Sequence, residues 1–515
     1  MTTTLLPLFL LPAALAADPS AAADAATAEP AADPAAPQAA TTPDDDSFQL
    51  GSTGELRLLG SLPPDYPVDD EGHMVGQGPV LDTRLRAGLH LDRGSWRVVT
   101  EWDLFDGQAV GDPWDIRGTE DARHREVVDV LRGDAFQARE LAMSGMVGKI
   151  NVEAGLMTSH WGLGMVANDG AHDPVFGRND FGDRVIRLQL ATRPFQGGQT
   201  PLTLVLAGDR VVDDDLAQWS PLDGGDTAWQ GIASAIWSKK PGQVLGVYAV
   251  YRDQTESDGE RTTRAGVVDV YVDQPATAGD WQLRAAAEVA GILGRTTTAQ
   301  SYNSRDGLGV QSAGATALVS ATPSSGRYRG MLRGGWASGD GDPDDANSHD
   351  FTFDRDFDAG MVLFDEVQGA LDAAAYAQLT DPAHSGGAPE GADALVAEGA
   401  FRHAAFAQPV LGTRPLDWLD AQVGVMFSWS TSPIGQAYQT YRNGGVPANH
   451  LGEPTSGHYL GTEIDWALKL GDIDVDTARF TTRPALLLQG GHLLASESLG
   501  VGNVTLLTAT ARLRW

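Results

Sequence analysis

The chain has 515 residues, no cysteine, and 69 acidic against 36 basic side chains, giving a formal charge of −33. An apolar fraction of 42% is enough to build a core, which excludes general disorder. The lack of cysteine excludes disulfides, zinc–thiolate centres and cysteine nucleophiles. Four lysines accompany 32 arginines, and so acidic a chain is not expected to bind nucleic acid, because phosphate contact needs a basic face.

The N-terminus reads as an export signal followed by a polar leader. An apolar stretch over residues 5–15 runs into Ala14-Leu15-Ala16, a small-residue cleavage pattern, which predicts a signal peptide at 1–16. Residues 17–50 are rich in Ala, Pro, Asp and Thr and contain seven acids and no base. Such a segment cannot bury enough apolar surface to fold, so we predict a disordered periplasmic leader. Residues 51–515 then form one domain.

Beyond residue 50 the hydrophobic pattern repeats every two residues, which indicates strands. Apolar side chains in 83–91 alternate with Arg84, Arg86 and His90, and the same alternation follows in 96–104 after a tight turn. In a soluble sandwich the apolar face would be the core. In a membrane barrel that face meets lipid and the charged face lines water.

The order of long and short gaps between strands distinguishes these two folds. Gaps at 61–80, 106–135, 158–180, 338–396 and 431–458 are long, and they alternate with short ones. Short periplasmic turns opposite long external loops are typical of outer-membrane barrels. We therefore predict an all-β fold, a single transmembrane antiparallel β-barrel of about 18 strands with long external loops. The predicted strands are 53–60, 81–91, 95–105, 136–146, 149–157, 181–193, 201–211, 228–238, 243–252, 263–273, 281–293, 311–321, 327–337, 397–409, 416–430, 459–470, 478–493 and 503–515.

The C-terminal strand carries a specific signal. Apolar or small residues at every second position from Thr505 end in the aromatic Trp515, while Arg512 and Arg514 occupy the opposite face. A terminal strand of this kind resembles the sorting signal that the barrel-assembly machinery reads. We predict that the strand closes the barrel and leaves no sheet edge unpaired.

Arginine and acidic residues recur at positions predicted to face the lumen. Guanidinium groups bind carboxylate or phosphate in a bidentate manner, and rings of arginine favour anions in a pore. Two interpretations stay open here: the arginines brace the wall by pairing with acids, or they form an anion path. The predicted pore-lining residues are Arg84, Arg86, Arg97, Glu101, Asp103, Arg139, Arg187, Arg252, Arg264, Arg284, Arg329, Arg333 and Arg402.

The longest loop, 338–396, contains an acidic run, aromatic residues and a segment at 362–379 with helical spacing of apolar residues. A loop with its own helix is not expected to extend into solvent. We predict that it folds over or into the pore as a constriction. The acidic run at 340–345 misses the EF-hand spacing, so a solvated turn is favoured over a calcium site.

Ser159 and His160 open the loop at 158–180 and are candidates for a catalytic pair. Adjacent residues of an extended chain point to opposite sides, so His160 cannot activate Ser159 directly. We predict no catalytic residue, no cofactor and no metal site. Trp161 is predicted to anchor the barrel at the membrane interface.

Two motifs resemble those of the alginate-export family of outer-membrane porins: Trp161-Gly162-Leu163-Gly164, and Trp336-Ala337-Ser338-Gly339-Asp340 before the longest loop. The segments from His160 to Met165 and from Phe353 to Phe357 are similar to those of an uncharacterised set of predicted outer-membrane barrel proteins. The resemblance implies passage of an acidic polysaccharide through an Arg-lined lumen. The acidic loops of this chain oppose that substrate.

These observations together predict a porin-like channel of the Gram-negative outer membrane, exported by its signal peptide, for passive passage of small or anionic solutes or a polysaccharide. Its predicted partners are outer-membrane lipid, the barrel-assembly machinery and the diffusing solute. Two alternatives remain at this stage: a surface-display or adhesion barrel with a plugged lumen, and a hydrolase at the barrel rim.

Overall fold

A computed structural model describes residues 47–75, 78–111, 136–179, 182–195, 201–221, 224–299, 301, 304–342, 345–380, 399–444, 446–471 and 483–515. The predicted signal peptide and most of the predicted leader lie outside these residues. The last positions of the leader, Gln49 and Leu50, belong to the first strand, so the barrel begins slightly earlier than predicted. Among the described helices, none has the length and apolar character needed to cross a bilayer.

Within the described residues one sheet holds 21 strands, and three of these are short additions at Ala217–Ser220, Gly224–Gly225 and Asn347–Ser348. The other 18 form the barrel. They are β1 (Gln49–Leu62), β2 (Val80–Arg93), β3 (Trp96–Val110), β4 (Phe136–Val147), β5 (Ile150–Thr158), β6 (Arg184–Thr192), β7 (Leu202–Asp214), β8 (Thr227–Trp237), β9 (Val244–Thr255), β10 (Thr262–Ala278), β11 (Trp281–Thr296), β12 (Leu308–Pro323), β13 (Tyr328–Ala337), β14 (Ala404–Leu416), β15 (Leu419–Ser430), β16 (Tyr459–Gly471), β17 (Arg483–Ala495) and β18 (Val504–Arg514).

The barrel is closed by its first and last strands. Each strand pairs antiparallel with the next, and β18 returns to β1 with Leu56 opposite Leu513. The closing seam continues beyond β18, where the N–H of Trp515 donates to the carbonyl of Gly54 at 3.0 Å. Because every barrel strand has two neighbours, no long edge is left to pair with another chain.

The predicted number and order of strands are confirmed, but both boundaries of one strand are wrong. The fourteenth strand was predicted at 397–409 and is found at Ala404–Leu416. His403 has a left-handed backbone (φ 31°), which interrupts the extended chain just before the strand. The alternation of long and short connections has an exception, since only residues 256–261 join β9 to β10 at the long-loop end. The turn predicted at 471–477 between β16 and β17 lies, except for Gly471, outside the described residues.

The barrel reverses the usual distribution of polarity. Leu293 and Leu411 point outward and are 69% and 67% exposed, whereas Asp269, Glu288 and Glu463 point inward and are 0% exposed. A soluble fold would bury the leucines and expose the acids. The outer face is therefore built to contact hydrocarbon and the inner face to contact polar groups.

Exposed aromatic side chains mark both ends of the apolar band. Tyr328 and Trp336 lie about 8 residues apart, and Trp418 and Trp429 about 11. With ~3.4 Å per residue and a tilt of ~40°, the band is roughly 20–30 Å tall, which suits a bilayer. The girdle at the short-turn end contains Trp96, Trp281, Tyr328 and Trp418, and the girdle at the long-loop end contains Trp229, Tyr251, Trp336 and Trp429.

The longest loop, 338–403, folds into the barrel. A π-helical turn (Leu363–Gln368) continues into helix α1 (Gly369–Thr380), which confirms the helix predicted at 362–379. The apolar residues whose spacing predicted that helix are all buried. Phe353 packs edge-to-face on Phe401 with ring centroids 4.8 Å apart, and Phe401 contacts Phe406 of the wall at 5.2 Å. The aromatic core of this loop is thus continuous with the inner wall.

Candidate functional site in the barrel lumen

Most of the predicted lumen residues lie on the inward face. Arg84, Arg139 and Asp103 are almost fully buried at one side of the lumen. Arg97, Arg284 and Arg329 lie inward near the short-turn end and are partly exposed. The remaining inward residues are Arg86, Glu101, Arg187, Arg252 and Arg333.

Two predicted residues are placed elsewhere. Arg264 lies on the outward face of β10, is 64% exposed, and pairs with Asp253 at 3.3 Å near the long-loop end. Side chains alternate between the two faces along β10, and this alternation places Asp269 on the lumen face and Arg264 on the outer face. Arg402 lies in loop 338–403 instead of a strand, and its guanidinium pairs with Asp372 of α1 at 3.1 Å.

Almost every arginine of the predicted set has a carboxylate partner. Arg86 binds Asp103 through two hydrogen bonds of 2.7 and 2.8 Å, and Arg139 binds Glu101 at 3.2 Å. Arg333 differs, since it donates to Gln408 and to backbone carbonyls of loop 338–403. These contacts favour the bracing interpretation over the anion path. The other pairs are Arg84–Glu55, Arg97–Asp92, Arg187–Asp209, Arg252–Asp214, Arg284–Asp273 and Arg329–Asp420.

A second loop, 159–183, also crosses the lumen, and sequence reasoning did not predict this. On one side Trp161 donates to Asp269 at 2.8 Å and stacks on Tyr248. On the opposite side the backbone of Gly177 exchanges two hydrogen bonds with Gln489 of β17. Asp269 faces the lumen and has no arginine opposite it on either neighbouring strand. Such an acid needs a partner from elsewhere in the chain, and this was the signal available for a loop inside the barrel.

The predicted interfacial role of Trp161 is wrong. The indole is 3% exposed and lies inside the barrel, where wall residue Gly246 makes room for it. A Cβ on Gly246 would come within 2.7 Å of the ring. The aromatic residues at the membrane interface are those of the two girdles, whose side chains point outward near the strand ends. Trp161 follows the end of β5, and its side chain turns inward.

Glu463 of β16 fastens loop 338–403 to the wall. Its carboxylate accepts the backbone N–H groups of Met361, Val362 and Leu363 at 2.6, 2.8 and 2.8 Å. These N–H groups begin the helical segment and would otherwise lack acceptors. A buried carboxylate at this position satisfies them and matches the positive end of the helix dipole.

Ser159 is not paired with a base. Its hydroxyl lies beside the barrel wall and accepts a hydrogen bond from Arg187 at 3.0 Å. His160 lies instead beside Asp169, with 3.7 Å between Nδ1 and Oδ1. Ser159 therefore contacts the barrel wall, whereas His160 contacts another residue of its own loop.

The acidic run that opens loop 338–403 behaves as a turn where it is described. Asp340 accepts the backbone N–H of Asp342 at 3.0 Å, and Asp345 accepts that of Asn347 at 2.7 Å. Positions 343–344 lie outside the described residues. Aspartates that cap their own backbone in this way stabilise turns.

Carboxylates from three loops meet at the long-loop end, and that of Asp354 is buried. Arg355 binds Asp215 at 2.9 Å, and Asp354 accepts the N–H of Asn168 at 3.0 Å. Burial raises the pKa of Asp215 to about 7 against the lowering effect of Arg355. Burial and neighbouring acids also raise the pKa of Asp183 and Asp354. Asp215 therefore changes its protonation state near neutral pH.

A narrow cleft remains between the two loops and the wall formed by β1, β2, β17 and β18. The centre of a water molecule can occupy about 30 Å³ of it. Its charged lining consists of Asp82, Arg178, Asp365 and Glu366. Arg178 pairs with Asp82 at 3.1 Å, so acidic groups outnumber basic ones around the cleft.

No protein-family model matches the chain. In sequence it is 24% identical to a nucleoside triphosphate pyrophosphohydrolase of Mycobacterium tuberculosis, over 38% of this chain. The match spans 64% of the length of that relative. An identity this low does not establish a shared family, so neither that activity nor the alginate-export family is shown for this chain.

Among solved structures, the chain is similar to several bacterial proteins, of which one is described as an outer membrane protein. OccK2 (OpdF) of Pseudomonas aeruginosa is 12% identical with a TM-score of 0.46, covering 91% of this chain and 97% of that one. OccAB1 of Acinetobacter baumannii is 11% identical with a TM-score of 0.48, covering 92% and 99%. The outer membrane protein OpdK of P. aeruginosa is 12% identical with a TM-score of 0.45, covering 90% and 99%. At these values the likeness carries no argument about solutes, and the closed barrel is established by its own strand pairing.

Proposed function

We propose that the protein is a porin-like channel of the outer membrane that passes small solutes by diffusion. The observation that carries the proposal is the charged cleft left between two folded loops inside a barrel with an apolar exterior. The apolar band and its two aromatic girdles support insertion in a bilayer. Delivery by the N-terminal signal and insertion by the barrel-assembly machinery remain predictions.

The lumen favours cations over anions in this proposal. The wall arginines are engaged by carboxylates, so they do not present a free row of guanidinium groups. Around the cleft, the described lining contains three acidic side chains, Asp82, Asp365 and Glu366, and one basic side chain, Arg178. Rings of acidic side chains select cations.

Planar-bilayer recording of the purified protein tests this function. We expect stepwise conductance and a reversal potential with the sign of cation preference across a KCl gradient. Asp365→Asn should lower that preference, and Asp258→Asn, an acid in the exposed 256–261 connection, should leave it unchanged. Absence of conductance across repeated insertions would favour the surface-display alternative, and an anion preference would contradict the acidic cleft.

Passage of an acidic polysaccharide is the narrower reading that the motif resemblance implies. The arginine pairs oppose it, because a polyanion would have to displace wall carboxylates. An oligomeric uronate added to one side of the bilayer should therefore leave the current unblocked. Concentration-dependent block would restore the polysaccharide as the solute.

A further inference from the structure

Two histidines and an aspartate of loop 159–183 converge on one point. His172 Nδ1 lies 3.1 Å from Oδ1 of Asp169, and His160 Nδ1 lies 3.7 Å from the same oxygen. One ligand atom from each residue lies within 4.8 Å of the other two. The imidazole rings are 4.5 Å apart with an angle of 32° between their planes. Three metal-binding side chains are thus already assembled without the help of any other loop.

The loop holds these side chains in place from both flanks. Trp161, next to His160, is fixed by Asp269 and Tyr248. The backbone carbonyl of Asp169 accepts a hydrogen bond from Arg139 at 2.6 Å. Gly170 follows Asp169 with φ 62°, a left-handed conformation that turns the chain back towards His172. The wall therefore orients the cluster through neighbouring groups and leaves the ligand atoms themselves facing one another.

The imidazole of His160 is buried with weak polar contacts. Neither ring nitrogen makes a hydrogen bond of ordinary geometry with the described residues, although Gly162 and Asn168 place polar groups nearby. A buried polar atom without a partner costs free energy and calls for an explanation, of which a missing ion is one.

We propose that His160, Asp169 and His172 form a binding site for a divalent first-row transition-metal ion of the Zn²⁺ type. Zinc bonds of about 2.0–2.1 Å to nitrogen and oxygen place tetrahedral ligand atoms roughly 3.3–3.5 Å apart. The two histidine–aspartate distances lie on either side of that value. All three ligand atoms lie within 4.8 Å of one another, so side-chain rotation has to bring the two histidine nitrogens to the tetrahedral spacing. Imidazole ligands favour Zn²⁺, Ni²⁺ or Cu²⁺ over Mg²⁺ and Ca²⁺. Three protein ligands leave a fourth position open towards the lumen, where His172 is half-buried.

Metal titration of the full-length, tag-free protein in detergent tests the proposal. After chelator treatment we expect one Co²⁺ per chain, with the visible absorption of a tetrahedral site, and displacement of Co²⁺ by Zn²⁺. His160→Ala and His172→Ala should each weaken Zn²⁺ binding by at least about tenfold. His90→Ala is the matched control, because His90 also lies beside an aspartate, Asp92 at 3.8 Å, but has no place in this cluster.

Folding of each variant is checked by the heat-dependent mobility shift that a closed barrel shows on gels. His172→Ala is the safer variant, since its ring is the more exposed of the two. Stoichiometric binding that is lost in folded His172→Ala and retained in His90→Ala supports the site. Absence of saturable binding by the wild-type chain, or binding that survives the double replacement of His160 and His172, overturns it.

Discussion

Removal of the Glu463 carboxylate should release loop 338–403 from the barrel wall. Hydrogen bonds to a charged acceptor contribute about 1.5–3 kcal/mol each, so the three backbone bonds to Met361, Val362 and Leu363 have a combined upper bound of roughly 9 kcal/mol. Water can reach the freed N–H groups, which reduces the net loss. We expect Glu463→Ala to weaken docking of the loop by ~3 kcal/mol or more, a rise of about 100-fold in its undocked population.

Two assays follow this loop. Single-channel recording should show a larger conductance with added substates, because the aromatic core of the loop no longer holds the constriction in one position. Limited trypsin digestion should cut Glu463→Ala after Arg355, which is buried in the docked loop. Glu463→Gln should be intermediate, since the amide keeps one accepting oxygen and turns a donor towards Leu363.

Glu153→Ala supplies the matched control. Glu153 is also an inward glutamate of the wall, but its carboxylate accepts a hydrogen bond from Gln189 of the neighbouring strand at 3.2 Å and holds no loop. Its loss should leave conductance and digestion unchanged. Wild-type conductance together with wild-type trypsin resistance in Glu463→Ala would refute the assignment of Glu463 as the loop anchor.

Two further changes act on the same loop. A Cβ at Gly314 would lie 2.4 Å from the Phe351 ring, so Gly314→Leu should displace the loop and raise the conductance. Gly330→Leu is the control, because the atom nearest to a Cβ there lies 3.9 Å away, and it should not change the conductance. Equal conductance in the two variants would contradict the packing argument. Because the folded pKa of Asp215 is about 7 and lies above its unfolded value, its contribution to docking is present below about pH 4 and is lost as the pH rises through 7. Hydrogen-exchange protection around Arg355, corrected for intrinsic rates, should fall from pH 5 to pH 8 in the wild type. It should fall less in Asp215→Asn, in which Asp183 and Asp354 still have raised pKa values; a rise in the wild type would contradict this sign.

The sequence by itself determined the barrel. The strand positions follow from the two-residue period of the hydrophobic pattern. The outward residues of each strand are apolar because they meet lipid, and the inward residues are polar because they meet the lumen, so both faces can be identified from the sequence. The helix in the longest loop was likewise predictable, because its apolar spacing is local. Even the C-terminal strand, with Leu507 outward and Leu506 inward, follows from alternation alone.

Only the tertiary structure decided what fills the lumen. Whether Arg86 braces the wall or faces a solute depends on Asp103 lying across the strand pair at 2.7 Å, a distance set by register. Trp161 was assigned to the membrane surface because a tryptophan after a strand commonly lies there, and its true partner, Asp269, is remote in sequence. The convergence of His160 with His172 likewise requires the turns of a folded loop. Period and composition are local properties, whereas the enclosed space of a barrel brings together side chains from every part of the chain.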